Sequence, residues 1–146
     1  MNALLLFLRF AYPCSFQSIK EGKITDAERA QLLEMALDKR ELDARLIKKA
    51  FPAAIARLSS PLESVSEEGV YDYFFGRHNE LAHDLPAKMS DWCKARECRV
   101  IEVNASELVV EQESKRFNVK NEWLEVKPGD SVVVHRGFAV EKTNRI

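Results

Sequence analysis

The chain has 146 residues, 46% of them hydrophobic and 31% charged, which is too apolar for a disordered chain and enough for one ordinary domain or two small ones. Its 22 basic and 23 acidic residues nearly cancel, so there is no strong field of one sign to make nucleic acid or an anionic membrane the expected partner. Three cysteines, Cys14, Cys93 and Cys98, an odd count without dense spacing, argue against a disulfide scaffold and suit a reducing cytoplasm.

The first element is Ala3-Leu4-Leu5-Leu6-Phe7-Leu8. No positive residue precedes this short run, Arg9 interrupts it, and no small-residue cleavage site follows, so a buried first helix is expected rather than a secretory signal. A spanning helix needs about 20 apolar residues, which excludes a membrane span here. Cys14, just beyond, is expected in the core.

Thr25-Asp26-Ala27-Glu28 reads as a capping box that opens the next helix, with Ala30, Leu33, Ala36 and Leu37 forming its apolar stripe. A further helix from near Asp43 should bury Leu46, Ile47 and Ala50. Pro52 breaks it, because its ring disfavours helical dihedrals at Phe51, and then serves as the first residue of a short helix carrying Ile55 and Leu58. Ser66-Glu67-Glu68 opens the last helix of this region. Tyr71, Phe74, Phe75, His78, Leu81 and Ala82 lie along one side of it. Gly76, inside it, costs about 1 kcal/mol relative to alanine and weakens the case for an unbroken helix.

After Pro86 the periodicity changes. Arg99-Val100-Ile101-Glu102-Val103, Glu107-Leu108-Val109-Val110-Glu111 and Val132-Val133-Val134-His135 are short β-branched runs, separated by Asn104-Ala105-Ser106, Glu113-Ser114 and Lys127-Pro128-Gly129-Asp130. Such spacing predicts five short strands in a small closed or half-closed barrel. The expected fold class is α+β: an α-helical domain over residues 1–86 and a small OB-like β-barrel over residues 91–146, with the boundary between Leu85 and Asp91.

Lys127 to Lys142 is the most informative stretch. Pro128-Gly129 supplies the turn into a strand. Gly137 sits just past that strand, where a left-handed dihedral or a close approach demands a residue without Cβ. His135 ends the apolar run and is expected at the barrel rim, partly exposed, with one ring nitrogen available.

The run Gly129-Asp130-Ser131-Val132-Val133-Val134-His135-Arg136-Gly137-Phe138-Ala139 resembles the closing signature of the HypC/HupF hydrogenase-maturation chaperones. Cys93-Lys94-Ala95, followed by an alternating strand, is similar to the opening of that family, and Trp123-Leu124-Glu125-Val126 falls where the family has a short Leu-Val segment. The likeness covers residues 92–146. It implies a HypC-like barrel and a chaperone that carries an iron with diatomic ligands between a HypD-type partner and a hydrogenase large-subunit precursor. Carried over by position, it makes Cys93 and His135 the candidate ligands of a transiently held iron, a donor pair that suits the metal. Gly137 and Phe138 become the candidate partner contacts. Two features depart from the family: Cys93 is internal rather than next to the initiator methionine, and Glu97-Cys98 replace Pro-Gly.

Other readings carry less. A zinc site from Cys93, Cys98, His78 and His83 matches no common spacing, and histidines five apart on a helix point about 140° from each other. The cluster Arg77-His78-Asn79-Glu80 with His83-Asp84 is expected to dock its helix onto the barrel through hydrogen bonds. No phosphate loop, nucleophile elbow or paired-acid signature is present, so no enzyme activity is expected. The alternative to metal delivery is a protein-interaction module whose barrel has lost metal handling, with the helical domain providing or covering the surface through Tyr71 or Phe75. Small barrels also bind nucleic acid, but the near-neutral charge argues against that here.

Overall fold

The structure is a computed structural model and describes residues 2–143. The last three residues of the HypC-like stretch therefore lie outside the described residues. The chain forms two compact units that divide between His78 and Asn79. Helices precede a closed barrel, as the α+β reading expects.

In the first unit, α1 (Ala3–Ala11) begins where the Asn2 side chain accepts from the Leu4 amide, and it buries Leu6, Phe7, Leu8, Phe10 and Ala11. The apolar run is thus a core helix. After α2 (Ser15–Lys20), α3 (Asp26–Ala36) opens on the complete capping box: Thr25 Oγ1 accepts from the Glu28 amide at 3.1 Å, and Glu28 Oε1 accepts from the Thr25 amide at 3.0 Å. The Lys49 ammonium bonded to Glu28, together with that Thr25 amide, holds the Glu28 carboxyl below its ordinary pKa. The buried face of α3 is Leu32, Met35 and Ala36, while Ala30 is exposed. The expected stripe is therefore rotated, because the larger Leu32 and Met35 remove more apolar surface from water than Ala30 can.

Asp43 caps α4 (Ala44–Ala50), which buries Leu46, Ile47 and Ala50. Phe51 leaves the helix at φ −128°, and Pro52 starts α5 (Pro52–Arg57). Ser66 caps α6 (Glu67–Asp72). The expected break near Gly76 takes the form of a π-helical turn over Tyr73–Arg77. Its wider turn moves the aromatic residues around the axis. Phe74 stacks on Phe10 at 4.6 Å, and Tyr71 and Phe75 reach the same ring from its edges at 5.5 and 6.4 Å. These three aromatics secure α1. Cys14, expected in the core, is only half-buried in a 3₁₀ turn at Tyr12–Cys14.

The second unit holds the end of α7 (His78–His83), α8 (Ala87–Cys93) and five strands: β1 (Arg96–Asn104), β2 (Glu107–Gln112), β3 (Lys115–Lys120), β4 (Ser131–His135) and β5 (Phe138–Thr143). They close in the order β1-β2-β3-β5-β4, with β4 returning to β1. All pairings are antiparallel except β3 with β5, which run parallel at Lys120 and Phe138. Closure removes both sheet edges and gives the OB-like barrel.

Cys98, Val100, Leu108, Val110, Val119, Val132, Val134 and Ala139 fill its interior. Each such valine or leucine contributes about 1.5–3 kcal/mol by leaving water.

Three tight turns set the register. Asn104 pairs with Glu107, Gln112 with Lys115, and His135 with Phe138, so each turn has two central residues. In the second and third turns both have positive φ: Glu113 and Ser114 at 51° and 68°, Arg136 and Gly137 at 50° and 80°. That is the geometry whose twist matches paired strands. Entry to β4 is made by Gly129 at φ 97°, while Asp130 Oδ2 accepts from the Lys127 amide. That amide, and then Lys142, hold the Asp130 carboxyl below its ordinary pKa.

Candidate functional site

The segment between Leu85 and Asp91, expected to be a junction, is mostly helix. Pro86 precedes α8 in extended backbone (ψ 145°), and Ser90 and Cys93 turn inward while Met89 and Trp92 face solvent. This helix belongs to the barrel unit. It follows Asn79, which makes a two-point bond with one residue: its amide nitrogen donates to the Ala95 carbonyl and its oxygen accepts from the Ala95 amide, both at 2.8 Å. Asn79 of the polar cluster is thus tied by hydrogen bonds to the residue that precedes β1. His83 Nδ1 lies 3.3 Å from the Lys94 ammonium.

The C-terminal end of α8 meets the β4–β5 turn. The Arg136 amide donates to the Trp92 carbonyl at 3.0 Å, and the Arg136 guanidinium lies 4.4 Å from the centre of the Trp92 ring. A Cβ on Gly137 would come within 3.3 Å of Trp92 Nε1. Gly137 thus meets both of its expected requirements, positive φ and close approach.

Cys93 and His135 flank this contact, each one residue from the Trp92–Arg136 hydrogen bond. Residues 42 apart in sequence are thereby brought to the same end of the barrel at the level of the backbone. Their side chains do not sit on an open rim. His135 has no exposed surface and Cys93 is 7% exposed.

The expectation of a partly exposed imidazole is therefore corrected. Strand alternation puts Val132 and Val134 in the barrel interior and His135 on the outer face, but Val133 on that face is buried too. The face is covered rather than wet. Phe138, opposite His135, is half-buried, with the Lys120 ammonium 5.6 Å from its ring centre.

Cys98 takes a different role from Cys93. It lies in the strand β1, where the HypC-like pattern would place a Pro-Gly loop, and its side chain is part of the barrel interior. Burial pushes its thiol up to about 11, so it remains protonated and a poor metal ligand at neutral pH. No group of three or more histidine, cysteine or carboxylate side chains is gathered for a metal ion among the described residues.

Trp92 and Arg136 are the residues that sequence reasoning passed over. Both stood beside candidate ligands, and the three-residue spacing of Met89 and Trp92 after Pro86 was the available sign of a helix with one apolar edge.

No family model matches the chain, and no curated protein matches it either. Among the described residues, no helix is long and apolar enough to cross a membrane.

Proposed function

We propose that the protein is a non-catalytic accessory protein, working in a reducing cytoplasm, that binds a protein partner through the α8 edge and the β4–β5 turn. One observation carries this reading. Leu85, Met89 and Trp92 are 39, 47 and 45% exposed, and Trp92 adjoins the turn bearing the His-x-Gly-Phe-Ala signature. Large apolar side chains left in water on α8 and just before it, beside an aromatic–arginine pair, have the chemistry of a partner-binding surface. The HypC/HupF resemblance names the partners to try: a HypD-type protein and a hydrogenase large-subunit precursor. Binding of either by the purified chain, weakened by Met89→Ser, is the expected result.

Iron carriage is the second reading. It is favoured by the placement of Cys93 and His135 on either side of one backbone hydrogen bond. Since both side chains are buried, iron would require the Trp92–Arg136 contact to open first. Anaerobic expression followed by iron and infrared analysis tests it. Wild type should carry diatomic-ligand bands that Cys93→Ala lacks, and identical spectra would remove the ligand role.

A further inference from the structure

A cavity of about 460 Å³ opens in the barrel unit where β1 begins and the β2–β3 turn closes. This end of β2 and β3 is opposite to the β1–β2 turn at Ala105. Four cations line the cavity, Lys94, Arg96, Lys115 and Arg116, against two carboxylates, Asp91 and Glu113. In a chain whose charges otherwise nearly cancel, this is a local excess of positive charge.

The cations are not equally engaged. Arg116 is paired with Glu111 at 3.0 Å, and Lys94 approaches His83. No carboxylate among the described residues lies within ion-pair distance of Arg96 or Lys115.

Arg96 is the better defined of the two. Its guanidinium lies over the Phe117 ring at 4.6 Å, and one terminal nitrogen donates to Gln112 Oε1 at 3.2 Å. Its Nε is shut off from solvent and meets no acceptor among the described residues. Phe117 and Gln112 thus hold the Arg96 guanidinium in place at the cavity wall, where its charge meets no counterion among the described residues.

We propose that this cavity binds a small phosphate-bearing anion. A doubly charged phosphate uses both uncompensated cations at once, whereas a single carboxylate needs only one. The volume is in the range of small-molecule sites. The chain's nearly balanced charge offers no extended basic track for a nucleic-acid strand, so the ligand is a compact phosphate. The inference is independent of the partner reading, because it uses neither Trp92 nor the β4–β5 turn.

The test is a titration of the ¹⁵N-labelled full chain with inorganic pyrophosphate. The expected result is saturable movement of the Glu113 and Phe117 amides, with affinity about tenfold above that for acetate. Lys115→Gln, at an exposed position, should weaken binding about tenfold and leave the fold intact; Arg96→Gln should weaken it further. Lys23→Gln on the first unit should change nothing. Lack of saturation at millimolar pyrophosphate, equal binding of acetate, or unchanged binding by Lys115→Gln overturns the proposal. So does a short single-stranded oligonucleotide that binds the same signals more tightly than pyrophosphate.

Discussion

Arg136 and Trp92 are joined twice, by a main-chain hydrogen bond of 3.0 Å and by the guanidinium stacked 4.4 Å over the indole. The backbone bond fixes where α8 ends against the barrel, and the stacking fixes the indole. Arg136→Ala keeps the first and removes the second. It should therefore lower stability by about 0.5–1 kcal/mol in urea unfolding, with no change in the strand amides' exchange protection.

Gly137 allows that contact. Alanine there is strained at φ 80°, and its Cβ would press on Trp92 Nε1. Gly137→Ala should cost about 1–2 kcal/mol, while Gly137→Asn, better tolerated in left-handed backbone, should cost less. Equal losses for the two variants would show that crowding against the indole, rather than φ, dominates.

The β2–β3 turn offers the opposite case. Glu113 and Ser114 both take positive φ without being glycine or asparagine. Glu113→Asn with Ser114→Gly should raise stability by about 0.5–1 kcal/mol, because it fits the residues to the turn without touching the interior. Thermal unfolding of the double variant checks this.

Cys98 should give the barrel a pH-dependent stability at the alkaline end. Its folded value of about 11 lies above the ordinary 9.0, so the folded state keeps a proton that the unfolded chain loses. The contribution is complete below about pH 9 and is lost as pH rises through about 11. On the order of 2 kcal/mol is at stake. Cys98→Val, which has no proton to lose, should flatten the stability profile between these limits relative to wild type; parallel profiles would contradict the assignment.

How much of this was legible in the sequence depends on whether the signal was local. The capping box at Thr25 and Glu28, the break at Phe51-Pro52 and the special backbone at Gly129 and Gly137 depend on neighbouring residues only, and all were readable. The rotated face of α3 was not, since Ala30 and Leu32 can both extend an apolar stripe and only packing chooses between them. Burial of His135 was hidden for a similar reason: its position at a strand end suggests a rim, and whether that rim is covered depends on chain far away in sequence. α8 was missed because Cys93 drew the reading toward a strand opening, although Met89 and Trp92 already had helical spacing.

The central claim is that the α8 edge beside the Arg136 turn is a surface for a protein partner. Calorimetric titration of the full chain with a HypD-type protein, and separately with a hydrogenase large-subunit precursor, addresses it most directly. The account predicts saturable binding of at least one of them, weakened about tenfold or more by Met89→Ser while near-ultraviolet circular dichroism stays unchanged. Failure of wild type to bind either protein, or equal binding by Met89→Ser, would contradict it.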